Sequence, residues 1–251
     1  MVERTWDAQS YHRVSGPMVE MARDVLDRLP LRGDETVLDA GCGSGLVTEL
    51  LCERLPSGRV VAVDADPAMV EKAREHLRDR ADVRLVDLVE LEMDEPFDAI
   101  FSTATFHWIP DHDRLFARLF AALRPGGRLV AQCGGRGNLE RLLAAADQVA
   151  EREPYASHIA HLSRRGNFPD PGSTTRRLAA AGFVDIDCRL VGRIVTPDDA
   201  HEYLTTINLG RQVQALPDGL APRYVDDVIA VLGEPVEIDY VRLDIDAVRP
   251  A

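Results

Sequence analysis

The chain has a single lysine, Lys72, among 29 basic residues, and these face 42 acidic ones for a formal balance of −13. So acidic a chain repels phosphate backbones, and its arginines are scattered rather than clustered, which argues against a nucleic-acid or anionic-membrane partner. The arginine excess reflects composition and carries no function. Cysteine is scarce too. Cys42, Cys52, Cys133 and Cys188 show no CxxC spacing, so neither a disulfide framework nor a cysteine metal site is expected, and free thiols in a reducing compartment are. Long apolar runs are missing: none approaches the roughly 18 residues that cross a bilayer. The opening Met1-Val2-Glu3-Arg4-Thr5-Trp6-Asp7 lacks the apolar region of a secretory leader. A cytoplasmic protein with a small-molecule partner is therefore expected. What is present suits a packed core, with 45% hydrophobic and 28% charged residues over a length of 251. At about 150 residues per domain this allows one large domain or two small ones.

Hydrophobic periodicity then gives a rhythm. Met18, Met21, Val25, Leu26 and Leu29 recur at helical spacing before Pro30 and Gly33. Thr36 to Ala40 is a short apolar strand that runs into Gly41-Cys42-Gly43-Ser44-Gly45, and Leu46, Val47, Leu50 and Leu51 resume a helix. Arg59 to Val63 ends at Asp64, Pro67 opens a helix through Leu77, and Val83 to Val86 ends at Asp87. A fourth strand, Phe97 to Ser102, leads to a helix from Asp113 to Leu123, and Pro125-Gly126-Gly127 turns into a fifth strand, Arg128 to Gln132. This alternation predicts an α/β fold, a doubly wound, mostly parallel sheet covered on both faces. Beyond Cys133 the rhythm breaks. A helix over Leu139 to Glu151, a polar stretch to Phe168 and a mainly helical segment from Pro197 to Leu232 read as helical cap insertions. Between and after them, Arg176 to Ala181 reads as a helix, and Phe183 to Val195 and Val236 to Val248 alternate as late strands. The expected division is an N-terminal helical segment over 1–33, a ligand-binding core over 34–133, and 134–251 for the insertions and the last two strands of the same sheet.

Glycines at 41, 43 and 45 directly after a buried strand allow a sharp turn and a close backbone approach to a ligand. The run is GxGxG, with Leu46 where a dinucleotide fingerprint would carry its third glycine, so a nicotinamide-binding oxidoreductase fits poorly. Asp64 lies 64 − 45 = 19 residues past Gly45, the distance at which such folds bring an acid to ribose hydroxyls. Asp87 ends the third strand in the same way. Carboxylates at the carboxyl ends of adjacent parallel strands line one crevice, where open α/β sheets bind ligands.

Val37-Leu38-Asp39-Ala40-Gly41-Cys42-Gly43-Ser44-Gly45 resembles the first motif of the class I S-adenosylmethionine-dependent methyltransferases, and Val61 to Asp64, Asp87, Phe97 to Ile100 and Leu123 to Gly127 follow in that family's order. The resemblance covers about residues 30 to 133 and implies a Rossmann-like sheet of seven strands, the last antiparallel. Trp6-Asp7, Tyr11, Phe106 to His112, Gln132 and the late helical insert are similar to the trans-aconitate methyltransferase group and, less closely, to malonyl-carrier-protein methyltransferases. The resemblance implies S-adenosyl-L-methionine as cofactor. Asp39 and the backbone at Gly41, Gly43 and Gly45 would hold its methionine part, and Asp64 its ribose. Ala65 and Met69 would face the adenine, and Asp87 with Leu88 would meet the adenine amine and ring. Thr103, Tyr11 and the segment folding over the cofactor complete the set.

Methyl transfer from a sulfonium is an in-line displacement in which the protein positions the acceptor and excludes water, so no nucleophilic residue is required. A carboxylic acid arrives ionised, whereas a phenol or amine calls for a base near neutral pKa. His107 is the candidate catalytic residue, with base, substrate contact and structural roles all open. His12, Trp108, Arg136 and Arg211 are candidate substrate contacts, the arginines because an acid in so acidic a protein needs a focused cation. His158 and His161 lie three apart without a third ligand, so no metal is expected. The expected activity is carboxylate O-methylation of a small organic acid. The alternatives are a natural-product O-, N- or C-methyltransferase with His107 as base, and a cofactor-binding protein or cyclase that transfers no methyl.

Overall fold

A computed structural model describes residues 16–162 and 166–251. Trp6, Tyr11, His12 and the pair Arg164-Arg165 lie outside the described residues. The chain divides into two compact units: Met18–Arg136, Gly166–Val191 and Arg242–Ala251 form one, and the other draws on Gly137–Arg165 and Gly192–Val241.

A seven-stranded sheet has most of its residues in the first unit. Its strands are β1 (Thr36–Ala40), β2 (Arg59–Asp64), β3 (Asp82–Leu85), β4 (Phe97–Thr103), β5 (Leu123–Gly134), β6 (Val184–Val195) and β7 (Ile238–Val248), in the order β3-β2-β1-β4-β5-β7-β6. The pairs β1–β2, β1–β4, β2–β3 and β4–β5 are parallel, and β5–β7 is antiparallel. This is the doubly wound, Rossmann-like α/β sheet expected, with its chain reversal at the last strand.

Alternation of side chains gives the sheet two buried faces. Leu38, Ile100, Leu129 and Ile245 pack with Leu115, Phe116 and Leu119 of the helix His112–Ala122. Val37, Phe101 and Val130 face Val25, Leu26 and Leu29 from the Gly16–Arg28 helix and its exit, together with Leu51 of the helix Leu46–Glu53. Each such side chain contributes about 1.5–3 kcal/mol when fully buried. Both faces carry buried apolar clusters, so the crossover helices can hold the strand ends in fixed positions.

Two element boundaries differ from the sequence reading by more than two residues. The Pro125-Gly126-Gly127 turn lies inside β5 rather than before it: Phe97 pairs with Leu123 and Ala99 with Arg128, leaving four residues as a bulge. Gly126, with φ +77, donates its N–H to the Arg249 carbonyl at 2.9 Å, and Arg249 N–H returns to Gly127 at 2.8 Å, so the turn stays in the ladder. The helix expected from Arg176 starts instead at Pro171, because Asp170 caps it by accepting from Ser173 N–H at 3.0 Å and proline sits at the first helical position.

In the second unit the helices Glu140–Ala150 and Ala221–Leu232 meet through Tyr224, whose hydroxyl donates to the Ala146 carbonyl at 3.1 Å and whose ring meets Tyr155 edge-on at 5.4 Å. Among the described residues no helix is long and apolar enough to cross a membrane.

Candidate active site

The site is built where β1 stops. Gly41 and Cys42 both donate N–H to the Val63 carbonyl, at 2.8 and 2.9 Å, so the turn after β1 crosses the end of β2. Gly41, Gly43 and Gly45 adopt φ of +90, +54 and +88, a left-handed region that glycine enters without strain. A Cβ at Gly41 would lie 2.2 Å from Thr105 Oγ1, which itself donates to the Gly41 carbonyl at 3.2 Å. At Gly45 a Cβ would press on Leu77 at 3.0 Å. At Gly43 it would meet nothing within 4 Å. Two of the glycines are thus demanded by protein packing, and the third leaves an open cradle over the loop.

Two carboxylates flank that cradle. Asp39 is 2% exposed on β1, and Thr48 Oγ1 donates to its Oδ2 at 2.7 Å. Burial pushes its pKa up to about 7; the Thr48 hydrogen bond opposes the rise and the charge of Asp64 adds to it. Asp64, at the tip of β2, accepts Gly43 N–H at 2.9 Å on one oxygen and Asp66 N–H at 2.9 Å on the other. Burial also raises Asp64, and those backbone donors hold it down. A partly desolvated acid pair raised by its surroundings is an environment that a cationic ligand relieves. Each oxygen also keeps acceptor capacity beyond the bonds described.

The remaining expected cofactor contacts gather at the ends of β2, β3 and β4. Ala65 is exposed and Met69 is buried at the start of the helix Pro67–Leu77, which Asp66 caps. Asp87 is exposed and accepts Val89 N–H at 3.1 Å, with Leu88 buried beside it. Thr103 is partly buried, its carbonyl accepting Thr105 Oγ1 at 2.9 Å.

His107 is 8% exposed, in a short turn after β4. Its Nδ1 accepts Gly134 N–H at 3.2 Å, which assigns the neutral ring's proton to Nε2. Burial pushes its pKa down to about 3, aided by the charges of Arg242 and His112. Trp108 is 47% exposed, with its ring 4.8 Å from that of His107. Arg136 is an exposed surface residue paired with Asp170 at 3.1 Å. Arg211 lies on the helix Gly210–Ala215 in the other unit. No group of three His, Cys, Asp or Glu positioned for a metal occurs among the described residues.

Several site residues were not singled out in the sequence. Thr48 and Thr105 anchor Asp39 and the loop. Ala104 carries a left-handed φ of +54 and donates its N–H to the Gln132 carbonyl at 2.8 Å, a strained corner of the kind that collects at functional sites. Thr48, three residues past Gly45 on the inward side of a helix, had a readable signal; Ala104 had none.

A sheet of this order with one reversed strand defines a protein of the Rossmann-like class, and residues 37–127 match the family model described as a methyltransferase domain. The chain belongs to the class I S-adenosylmethionine-dependent methyltransferases. Within them it is similar to trans-aconitate 2-methyltransferases. It is 38% identical over 162 residues to that of Variovorax paradoxus (63% of this chain, 61% of the relative), and 35% identical over 184 residues to that of Rhizobium leguminosarum bv. trifolii (72% and 71%). The first match thus spans less than two thirds of the relative's length. A phosphoethanolamine N-methyltransferase from Haemonchus contortus, solved with S-adenosylhomocysteine and phosphomonomethylethanolamine, shares the fold with a TM-score of 0.65 at 20% identity, over 96% of this chain and 56% of its own.

Proposed function

We propose that this chain transfers a methyl group from S-adenosylmethionine to a carboxylate oxygen of a small organic acid resembling trans-aconitate. The cradle fits the cofactor: an open Gly43 and two raised carboxylates suit an ammonium, a sulfonium and a ribose diol. Asp39 with the loop would take the methionine end, Asp64 the ribose, and Met69, Ala65, Leu88 and Asp87 the adenine. When bound, the cofactor supplies a methyl carbon activated by its sulfonium; the chain has to orient the acceptor and keep water out.

The observation that carries the choice of acceptor is the state of His107. With Nδ1 accepting from Gly134 and its basicity pushed down to about 3, the ring presents an N–H at Nε2 and lacks a lone pair for taking a proton at neutral pH. Such a group suits an acceptor that arrives ionised, and a carboxylate does. A phenol or an amine would need the base this histidine is not. Donation from Nε2–H would hold one carboxylate oxygen while the other attacks.

The test is transfer of isotopically labelled methyl to trans-aconitate, with the product analysed by mass spectrometry before and after mild alkali. A labelled, alkali-labile ester is expected. Alkali-stable label on nitrogen or carbon, or no transfer to any di- or tricarboxylic acid while S-adenosylmethionine still binds, overturns the reading. His107→Gln, which keeps a side-chain acceptor and donor, is expected to slow turnover without rescue at higher pH.

A further inference from the structure

Between Arg136 and Gly166 the chain leaves the first unit, and both ends of that excursion close on His107. At the exit, Gly134 donates its N–H to the ring Nδ1 at 3.2 Å. At the return, Asn167 donates its N–H to the His107 carbonyl at 2.7 Å and its side-chain Nδ2 to the Ile109 carbonyl at 3.4 Å. Arg136 N–H reaches the Pro169 carbonyl at 3.0 Å, so the two ends are tied to each other as well. The turn held this way is anchored to the glycine loop: Trp108 N–H donates to the Thr105 carbonyl at 2.9 Å, and Thr105 Oγ1 donates to the Gly41 carbonyl at 3.2 Å.

The return segment also supplies a ring. Phe168 has its centroid 5.9 Å from that of His107, with the two planes inclined by 34°, and Trp108 stands at 4.8 Å. Both separations fall in the range of aromatic contact. Gly166 is what lets Phe168 fold back: its φ is +127, and a Cβ there would lie 2.9 Å from Phe168 Cζ. Backbone bonds fix where the His107 side chain starts, but the plane of its ring is set by the bond at Nδ1 and by the rings beside it.

The same neighbours set the medium around the imidazole. The charges that act on it, Arg242 on β7 and His112 on the helix His112–Ala122, both disfavour a proton. The Cys133 thiol on β5 faces the His107 backbone and is pushed up to about 12 by burial, so it stays neutral. Removal of water is the largest influence of all. Phe168 is half-buried and comes from a separate part of the chain, so it can be changed without rebuilding the turn.

We infer that Phe168 is a positioning residue for His107: folded back over Gly166, its ring covers the imidazole, keeps water from it and fixes the plane in which Nε2–H is presented. This rests on the donor role of His107 given above. A proton gained by the ring would have to sit on Nδ1, where it would meet the Gly134 N–H donor against donor, and the ring would turn away. Loss of the cover therefore acts through protonation of His107, which a residue that serves only packing would leave unchanged.

The histidine ring signals of the 251-residue chain are followed by NMR between pH 5.5 and 8, with His107 assigned by the signal that His107→Gln lacks. In the unaltered protein His107 should keep its Nε2–H tautomer throughout. Phe168→Ala should bring its midpoint up to about 5–6. With both substrates saturating, kcat of this variant on trans-aconitate should fall by up to about fourfold at pH 5.5 and recover by pH 8, a fall the unaltered protein lacks. Phe168→Leu keeps an apolar cover and should titrate like the unaltered protein. A folded Phe168→Ala whose His107 titrates as in the unaltered protein overturns the inference, and so does a Phe168→Leu that titrates like Phe168→Ala. Should Phe168→Ala not fold, Gly166→Ala, at an exposed position where the added Cβ drives the ring away, has to move the midpoint in the same direction, and an unmoved one overturns the inference. The titration is read without turnover. Absence of transfer to trans-aconitate therefore removes the acceptor reading alone, whereas an unmoved titration with transfer intact removes this inference alone.

Discussion

Each residue of the glycine loop meets a different constraint, and substitutions should separate them. Gly43→Ala adds a Cβ that touches no protein atom within 4 Å, so only its left-handed backbone is penalised, by about 1–2 kcal/mol. Gly41→Ala adds one 2.2 Å from Thr105 Oγ1 and forces the loop to move. Gly43→Ala should therefore stay folded and lose most S-adenosylmethionine affinity in calorimetry, because the new methyl occupies the cradle. Gly41→Ala should lose stability in urea denaturation as well as affinity. If Gly43→Ala binds the cofactor normally, the cradle lies elsewhere. Asp39 gives a prediction with a defined sign. Its pKa is raised in the folded protein from an ordinary 3.8 to about 7, so its contribution to stability is full below pH 3.8 and is lost as pH rises to about 7. Asp39→Asn, which can still accept from Thr48, should then raise the melting temperature of the ligand-free protein at pH 8 while weakening cofactor binding. Binding of a cation beside Asp39 favours its ionised form, so cofactor affinity in the unaltered protein should fall as pH drops below 7. Calorimetry in buffers of different ionisation enthalpy should register proton release on binding near pH 6.5. His107 acts oppositely: depressed from 6.5 to about 3, it contributes stability above pH 6.5 that is lost as pH falls toward 3.

At the scale of elements, the reversed strand β7 is tied to its neighbours by charge as well as by its ladder. Arg28, near the end of the first described helix, reaches Asp244 at 2.8 Å and Asp246 at 3.2 Å, and donates to the Ala131 carbonyl at 2.9 Å. Truncating one partner of such a buried pair leaves the other charge uncompensated, a loss of about 3–5 kcal/mol. Asp244→Ala should lower stability in urea denaturation by roughly the lower end of that range, since Arg189 is partly exposed and recovers hydration. Asp244→Asn keeps an acceptor oxygen and should lose less. A loss below about 1 kcal/mol in Asp244→Ala would mean the network carries little of the fold. The same strand shows where sequence reading stops. β1, β2 and the helix at Pro67 were legible because their signals are local: apolar runs ending in glycine or aspartate, and a proline after a capping acid. Asp39, the glycines and Asp64 were legible as one group at the strand ends for the same reason. Gln132, Arg242 and Asp244 form one group through contacts 110 and 112 residues apart, and no window of sequence carries that juxtaposition. Arg136 and Arg211 looked equally suitable as cations. Only the antiparallel register, which sets Arg242 opposite Gly134, distinguishes a buried arginine on β7 from an exposed one just past β5. The turn at 124–127 was misplaced because glycine and proline mark a bend without stating whether the ladder continues through it.

On the scale of the whole molecule, a charge of −13 acts on both proposed ligands, with opposite sign. S-adenosylmethionine carries an ammonium, a sulfonium and a carboxylate, a net positive charge that the acidic field attracts. A tricarboxylate is repelled by the same field. Salt distinguishes the two effects, since the screening length shortens from about 30 Å at 0.01 M to about 10 Å at 0.1 M, while a buried pair is screened far less. Raising sodium chloride over that range should weaken cofactor binding and, in the same protein, lower KM for trans-aconitate, each by roughly two- to fivefold, with kcat unchanged. Crotonate, with one charge, should respond more weakly than trans-aconitate. Should KM for trans-aconitate instead rise with salt in step with the cofactor's dissociation constant, the acid is being drawn in by a positive local field, and the balance of charge at the crevice differs from that of the chain.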